Sequence, residues 1–284
     1  LEFKIGTPNT GTYLDLGGVA GYLEADIESC SNSGSISVLN EEVEANCPRP
    51  AAGGVAGFVL GNAKDCFNTG TLDYNGNFAA GTADAAGAGG SHQPLFGGVF
   101  GGVGAVSNAI DNDHTMQGCY NTGTMTVSIR QKANGKTRSQ LGGVAGYCGV
   151  VASGCYNNGA LTFKPLSYQS SIGGVIGESK TDLENCYNDG VITIDGRGNS
   201  DLVTEDTNSN KYGTQFYMGG VVGYALAGST LSLCENKKEI KYTNGWCKTV
   251  LSYLGGIMGS YTGGMTMTGC TNSGAVTWES PSAA

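Results

Sequence analysis

The sequence has few histidines, a deficit of positive charge and no long apolar run. Its 2 histidines give little support for a Ser-His-Asp or Cys-His nucleophile. Because 24 acidic residues outnumber 15 Lys and Arg, the net charge disfavours binding to a nucleic-acid backbone. No stretch reaches the roughly 18 apolar residues of a membrane span, so we expect no membrane insertion by this chain.

A helical periodicity is also missing, and the chain instead repeats two short signatures seven times. Gly-Gly-Val/Ile-x-Gly begins at residues 17, 53, 97, 142, 173, 219 and 255. Each copy is followed by Cys-x-Asn, with cysteines Cys30, Cys66, Cys119, Cys155, Cys186, Cys234 and Cys270 and asparagines Asn32, Asn68, Asn121, Asn157, Asn188, Asn236 and Asn272. A glycine stands two residues beyond the asparagine except in the sixth copy, which has Lys238.

Apolar and small polar residues alternate after each asparagine, as in Ile192, Thr193 and Ile194. This period of two predicts a strand with one buried face. With an extended segment at Gly-Gly-Val and another around Cys-x-Asn, we expect three strands in each repeat of 31 to 46 residues. The sequence therefore predicts an all-β fold, a β-solenoid of the right-handed parallel β-helix type, with seven coils stacked about 4.8 Å apart.

We interpret residues 1–284 as a single solenoid domain with repeats beginning near residues 16, 52, 96, 141, 172, 218 and 254. The insertions fall mostly after the third predicted strand, at 39–51, 75–94, 128–140, 164–171, 195–217 and 243–253. Loops at one point of a repeat emerge along one edge of a solenoid, where binding faces usually lie. The alternative for any one loop is a tolerated surface insertion.

Stacking assigns structural roles to the repeated cysteines and asparagines. Cysteine is a small apolar filler, and asparagine amides can hydrogen bond from coil to coil. Glycine permits positive φ at corners and close backbone approach. We expect the seven repeat thiols to be buried and reduced, although secreted proteins usually use cysteine for disulfides. Cys47 and Cys247 lie in insertions, and Cys148 with Cys155 is the only pairing left open.

Gly-Gly-Val-x-Gly followed by Cys-Tyr-Asn-x-Gly resembles the GLUG motif, a glycine-rich repeat of large bacterial surface proteins, also found beside immunoglobulin-A-cleaving metallopeptidases. The resemblance implies secretion or surface display and adhesion, and it supplies no catalytic residue. The chain has no His-Glu-x-x-His, the metallopeptidase motif. It begins at Leu1 without a methionine, so we expect it to be a fragment of a larger surface protein.

A line of outward-facing aromatic residues is the first candidate binding surface. If Cys and Asn point inward, the residue between them points outward, and in four adjacent repeats it is Phe67, Tyr120, Tyr156 and Tyr187. Such rings offer platforms for a glycan. The alternative is a self-stacked ladder covered by a loop. The expected partner is a host or bacterial surface glycan or protein; the sequence does not define the oligomeric state.

A calcium site is the second candidate, because Asp111 and Asp113 in "AIDNDHTM" offer the hard oxygen ligands that calcium prefers. The glycine and distal glutamate of an EF-hand are absent, and a solvated loop is the alternative. We expect no other cofactor.

An enzyme is the main competing hypothesis, since polysaccharide lyases and hydrolases are often β-helices. Paired-acid glycosidases need carboxylates about 5 to 9.5 Å apart. Asp73 and Glu239 lie on the third-strand surface four coils apart, which corresponds to about 19 Å. We therefore expect a non-catalytic, adhesin-like module that is secreted or displayed on the bacterial surface and binds glycan. A purely structural spacer is the other alternative.

Overall fold

The computed structural model describes residues 2–4, 14–40, 50–77, 94–105, 113–130, 138–166, 169–196, 215–243 and 251–279. All regular elements within these ranges are β-strands. The same residues include no helix with the length and hydropathy of a membrane span.

The strands follow the order of seven coils. A short strand, β1 (Glu2–Lys4), precedes them. Coil one comprises β2 (Leu14–Gly17), β3 (Ala20–Leu23), β4 (Ile27–Glu28), β5 (Ser31–Asn32) and β6 (Ile36–Asn40). Coil two comprises β7 (Pro50–Gly53), β8 (Ala56–Val59), β9 (Ala63–Lys64), β10 (Phe67–Asn68) and β11 (Leu72–Asn77). Coil three comprises β12 (Leu95–Gly97), β13 (Phe100–Val103), β14 (Thr115–Gln117), β15 (Tyr120–Asn121) and β16 (Met125–Arg130).

The last four coils repeat the pattern. They comprise β17 (Arg138–Gly142), β18 (Ala145–Cys148), β19 (Val151–Ser153), β20 (Tyr156–Asn157) and β21 (Leu161–Leu166); β22 (Gln169–Gly173), β23 (Ile176–Ser179), β24 (Leu183–Glu184), β25 (Tyr187–Asn188) and β26 (Ile192–Asp195); β27 (Gln215–Gly219), β28 (Val222–Ala225), β29 (Thr230–Ser232), β30 (Glu235–Asn236) and β31 (Ile240–Thr243); and β32 (Leu251–Gly255), β33 (Met258–Tyr261), β34 (Thr266–Thr268), β35 (Thr271–Asn272) and β36 (Val276–Glu279).

Equivalent strands of successive coils form five parallel sheets that run the length of the stack. We number them along the coil: sheet I begins with β2, sheet II with β3, sheet III with β4, sheet IV with β5 and sheet V with β6, and β1 adds an eighth strand to sheet V. The predicted all-β, right-handed parallel β-helix of seven coils is thus confirmed. The prediction of three strands in each repeat was wrong, because each coil has five strands.

Two corners that sequence periodicity did not reveal account for the difference. One corner lies within Gly-Gly-Val and separates sheets I and II. The other lies directly before the cysteine and separates sheets III and IV. There the seven equivalent residues all have positive φ, between 51° and 64°: Ser29, Asp65, Gly118, Gly154, Asn185, Leu233 and Gly269. The left-handed conformation turns the chain in one residue, and four coils use it without glycine.

The repeated asparagines form a continuous ladder. Each Asn Nδ2 donates to the Oδ1 of the asparagine in the next coil, over six contacts of 2.7 to 2.9 Å. Each Nδ2 also donates to the carbonyl two residues later, as Asn157 does to Gly159 O at 2.8 Å. Five of these asparagines are buried. The polar groups are therefore satisfied inside the stack, which burial requires.

The second glycine of Gly-Gly makes room for the asparagine of the same coil. A Cβ on Gly143 would lie 2.7 Å from Asn157 Cγ and 2.0 Å from Gly174 O of the next coil. The equivalent glycine in every coil meets its asparagine at 2.4 to 2.8 Å. The two signatures occur together because one supplies the space that the other occupies.

The interior contains two main apolar clusters. One is enclosed by sheets II, III and IV and includes the buried repeat cysteines. The other lies between sheets I and V and includes the alternating apolar residues that follow each asparagine. Tyr74 belongs to the second cluster; its side chain is fully buried, and its hydroxyl has no hydrogen-bond partner among the described residues. Burial raises the pKa of Tyr74, so the phenol stays neutral.

Replacing Gly143 with alanine tests the contact between the two signatures. We expect Gly143→Ala to lower the free energy of unfolding by about 1 to 3 kcal/mol, the usual cost of overpacking. Gly264→Ala is the control, because no atom lies within 4 Å of a Cβ at that position. Urea denaturation followed by circular dichroism measures both. Equal losses in the two variants would contradict the proposed contact.

Two buried tyrosines, one with and one without a hydrogen bond to its hydroxyl group, test how much that hydrogen bond contributes to stability. We expect Tyr74→Phe to leave the free energy of unfolding unchanged or raise it by up to about 1 kcal/mol, because an unpaired hydroxyl leaves the core. Tyr147→Phe should lower it by about 1 kcal/mol, since the Tyr147 hydroxyl donates to Ala105 O at 2.7 Å. The same denaturation experiment compares them, and a larger loss for Tyr74→Phe would refute this account.

Candidate functional site

The four predicted aromatic residues lie side by side on sheet IV, and we call them the aromatic stripe. Phe67 pairs in register with Tyr120, Tyr120 with Tyr156, and Tyr156 with Tyr187. All four are partly exposed, whereas the flanking cysteines and asparagines of these coils are buried. The alternation of inward and outward residues therefore follows the sequence pattern.

The rings of the aromatic stripe stack directly on one another. Their centroids are 4.9, 4.7 and 4.8 Å apart in order, and neighbouring ring planes differ by at most 3°. Stacked rings cover each other's faces, so the stripe offers ring edges to a ligand that runs along the rod. Stacking of a sugar on every ring face, as the sequence suggested, does not fit this arrangement.

The two ends of the aromatic stripe differ. Phe67 pairs on its other side with Ser31 of the first coil, an exposed small residue that has no ring to stack on it. At the other end, Lys237 Nζ lies 4.3 Å from the centroid of the Tyr187 ring. Burial and the neighbouring hydroxyls of Tyr187 and Tyr120 raise the pKa of Tyr156. That phenol is therefore protonated at neutral pH and can donate a hydrogen bond.

The acidic candidates do not form a site among the described residues. Asp113 is exposed, and Asp111 lies outside the described residues, as do most of the insertion residues. The described ranges contain no group of three or more His, Cys, Asp or Glu side chains that could hold a metal ion. Calcium binding at Asp111 and Asp113 stays a prediction. Asp73 and Glu239 occupy coils two and six, as the repeat predicted.

The repeat cysteines form a second internal column. Cys66, Cys119, Cys155, Cys186 and Cys234 are buried, Cys30 and Cys270 at the ends are partly exposed, and all seven are free thiols, as is Cys148. Cys47 and Cys247 lie outside the described residues. Hydrogen bonding to Cys119 together with burial raises the pKa of Cys66, and burial raises the pKa of Cys148 to about 12. Hydrogen bonds from neighbouring thiols lower the pKa of Cys119 and Cys186. Burial is therefore what keeps these thiols from acting as nucleophiles, because a substrate cannot reach them.

Outward side chains of sheets I and II contact each other, as Gln140 contacts Glu178 and Tyr217 contacts Tyr224, so the two sheets form the walls of a longitudinal groove that was not predicted from the sequence. It is lined by the residue two before the first glycine of each repeat and the residue after the third glycine. In coils two to four these residues include Ala51, Phe58, Leu95 and Tyr147, a separate buried cluster. The recurrence of Tyr22, Phe58, Tyr147 and Tyr224 after the third glycine was the available signal.

The groove contents change along the rod. Glu178 in coil five accepts a hydrogen bond of 2.7 Å from Gln140 Nε2 in coil four. In coil six, Tyr217 and Tyr224 stack across the groove with centroids 4.7 Å apart, and Tyr253 of coil seven lies 5.6 Å from Tyr217. We call these three rings the tyrosine platform. Burial raises the pKa of Glu178, although nearby Lys180 and Arg138 oppose the shift.

One family model matches a short part of the chain. Residues 12–37 match the family model described as the GLUG motif. This segment contains the first Gly-Gly-Val-x-Gly, Cys30 and Asn32, so the resemblance is confirmed for the first coil. The other six coils repeat these positions in register. Searches of curated proteins and of solved structures gave no match.

Thiol counting tests the cysteine column. In a Cys47→Ser/Cys247→Ser variant, which retains eight cysteines, a chromogenic thiol reagent should detect all eight in denaturant without reductant. At most the two end thiols, Cys30 and Cys270, should react in the native protein, because the other six are buried. A count near zero in denaturant would mean that the column is a disulfide framework.

Proposed function

We propose that this chain is a non-catalytic, adhesin-like module, secreted or displayed on the bacterial surface, that binds glycan. The main observation behind the proposal is that the polar and reactive groups of the repeat, its amides and thiols, are used inside the structure. The asparagine amides hydrogen bond to one another, and the thiols are buried in a column. The repeat thus builds a rod, and the outward side chains are left for recognition. The GLUG match supports assignment to a surface repeat class.

The distribution of reactive groups supports a non-catalytic role. Asp73 and Glu239 are four coils apart, about 19 Å along the stack, whereas paired-acid hydrolysis needs about 5 to 9.5 Å. Six of the eight described thiols are buried, so a substrate cannot reach them for nucleophilic attack. A lyase or hydrolase would have to assemble its acids elsewhere.

The aromatic stripe supports glycan as the ligand class. It presents three phenol hydroxyls at the spacing of the coils, beside exposed polar residues such as Thr122 and Asn158. Hydroxyls that donate and accept suit the hydroxyl groups of a sugar chain. A ligand here would contact ring edges and hydroxyls along the rod.

A structural spacer is the second candidate function, and one observation favours it. The ring faces of the aromatic stripe are covered by neighbouring rings, and such pairs contribute about 0.5 to 1.5 kcal/mol each. The stripe therefore stabilises the stack whether or not it binds anything.

Removing only the hydroxyls separates the two functions. Tyr120→Phe/Tyr156→Phe/Tyr187→Phe keeps the stacked rings, and Phe67 already occupies one position of the same column. We expect an unchanged thermal midpoint and at least about tenfold weaker binding to the glycans that the wild-type protein selects on an array; tenfold corresponds to about 1.4 kcal/mol. Three lost hydrogen bonds account for that loss. Failure of the wild-type protein to bind any glycan would favour the spacer.

A further inference from the structure

The groove between sheets I and II holds a second constellation, separate from the aromatic stripe on sheet IV. The exposure and polarity of the groove-lining residues change at coil five. In coils two to four the lining is closed, since Phe58, Leu95 and Tyr147 are at most 1% exposed. Gly102 lies between them, and a Cβ there would lie 2.4 Å from a Phe58 ring carbon. The side chains in this part of the groove are therefore inaccessible to a ligand.

The groove becomes accessible in coils six and seven. Tyr253 is 42% exposed, Tyr217 beneath it is 7% exposed, and Tyr224 is partly exposed. The coil-seven residue in register with Tyr224 is Ser260, which is too small to cover an aromatic ring. The coil-seven register position of Tyr224 thus holds no aromatic ring, whereas both faces of Tyr120 and Tyr156 in the aromatic stripe are covered by neighbouring rings.

Polar groups lie next to the tyrosine platform. Glu178 is the register partner of Tyr224, one coil below it. Its carboxylate is positioned by Gln140 Nε2 at 2.7 Å, and Gln140 is only 4% exposed. Lys180 and Arg138 act electrostatically on the same carboxyl group. An apolar ring surface thus adjoins a positioned carboxylate and amide, the combination found in binding sites for small polar ligands.

We propose that the tyrosine platform and the Glu178–Gln140 pair form a binding site for an uncharged saccharide. A saccharide chain that runs along the rod packs one pyranose against Tyr253 and the coil-seven side of Tyr224, and a hydroxyl of a neighbouring unit donates to the Glu178 carboxylate on the other side of Tyr224. The choice of saccharide as ligand class rests on the proposed glycan-binding function. The location of the site rests on the groove alone.

The geometry distinguishes this ligand from an organic cation. An aromatic cage for a quaternary ammonium group needs rings arranged around a space for the cation. The centroids of Tyr217 and Tyr224 are only 4.7 Å apart, and those of Tyr217 and Tyr253 are 5.6 Å apart, so the rings contact each other instead. Lys180 and Arg138 beside Glu178 further disfavour a positive ligand.

Calorimetric titration of the full chain with cello-, malto-, xylo- and mannotetraose tests the site, with choline chloride as the cationic probe. We expect at least one neutral tetrasaccharide to bind and choline to show no binding. Tyr253→Ala should lower the affinity for that tetrasaccharide at least about tenfold. Glu178→Gln should also lower the affinity, because it removes the carboxylate charge and keeps the shape of the side chain. Tyr261→Ala is the matched control, because Tyr261 is a 53% exposed tyrosine of the same coil outside the groove.

The triple Tyr→Phe variant of the aromatic stripe separates this proposal from the preceding one. Loss of binding in Tyr253→Ala with retention in the stripe variant and in Tyr261→Ala assigns the ligand to the tyrosine platform. Loss in the stripe variant with full retention in Tyr253→Ala overturns the platform site and leaves the glycan-binding function standing. Binding of choline but of no tetrasaccharide overturns the saccharide assignment. Absence of any binding overturns the platform site, whereas the glycan-binding function is decided by the array. Native circular dichroism spectra confirm that each variant is folded.

Discussion

The asparagine ladder is the constraint on which the rest of the structure depends. A buried side-chain amide is costly unless both its hydrogens and its oxygen find partners. Here Asn157 donates to Asn188 Oδ1 and to Gly159 O, and its own oxygen accepts from Asn121. Every interior asparagine can be satisfied only if the coils above and below keep the same register. A shift of one residue in any coil would leave two neighbouring amides unpaired, so the ladder fixes the alignment of all five sheets.

This alignment places equivalent residues of successive coils in columns along the stack. How the residues of a column contact each other depends on whether the same residue type recurs in every coil. Identical small residues give internal columns, as the cysteines do in the cluster enclosed by sheets II, III and IV. Aromatic rings repeated at the coil spacing stack on each other, as in the aromatic stripe. Regular repetition therefore produces stability, since each residue takes its neighbours as partners.

The sequence contained enough information to predict the columns, the number of coils and the inward or outward direction of residues such as Cys66, Phe67 and Asn68. These features follow from position within a repeat. The five-stranded coil was not predictable from periodicity, because strands of two residues such as β10 are too short to show a period. The corner before each cysteine was hidden as well: Leu233 takes positive φ there with a side chain that normally avoids it.

The groove escaped sequence reasoning for a different physical reason. Its two walls come from sheets I and II, so residues such as Gln140 and Glu178 meet although 38 positions separate them in the chain. The proposed ligand site in the groove depends on a second difference between the groove and the aromatic stripe. The aromatic stripe is a nearly uniform column in which both faces of Tyr120 and Tyr156 are covered by the neighbouring rings. In the groove the column is interrupted, because Tyr224 is followed by Ser260. Where repetition fails, a ring keeps a face that its register partner in the next coil does not cover, and that is the face on which we propose that a ligand binds.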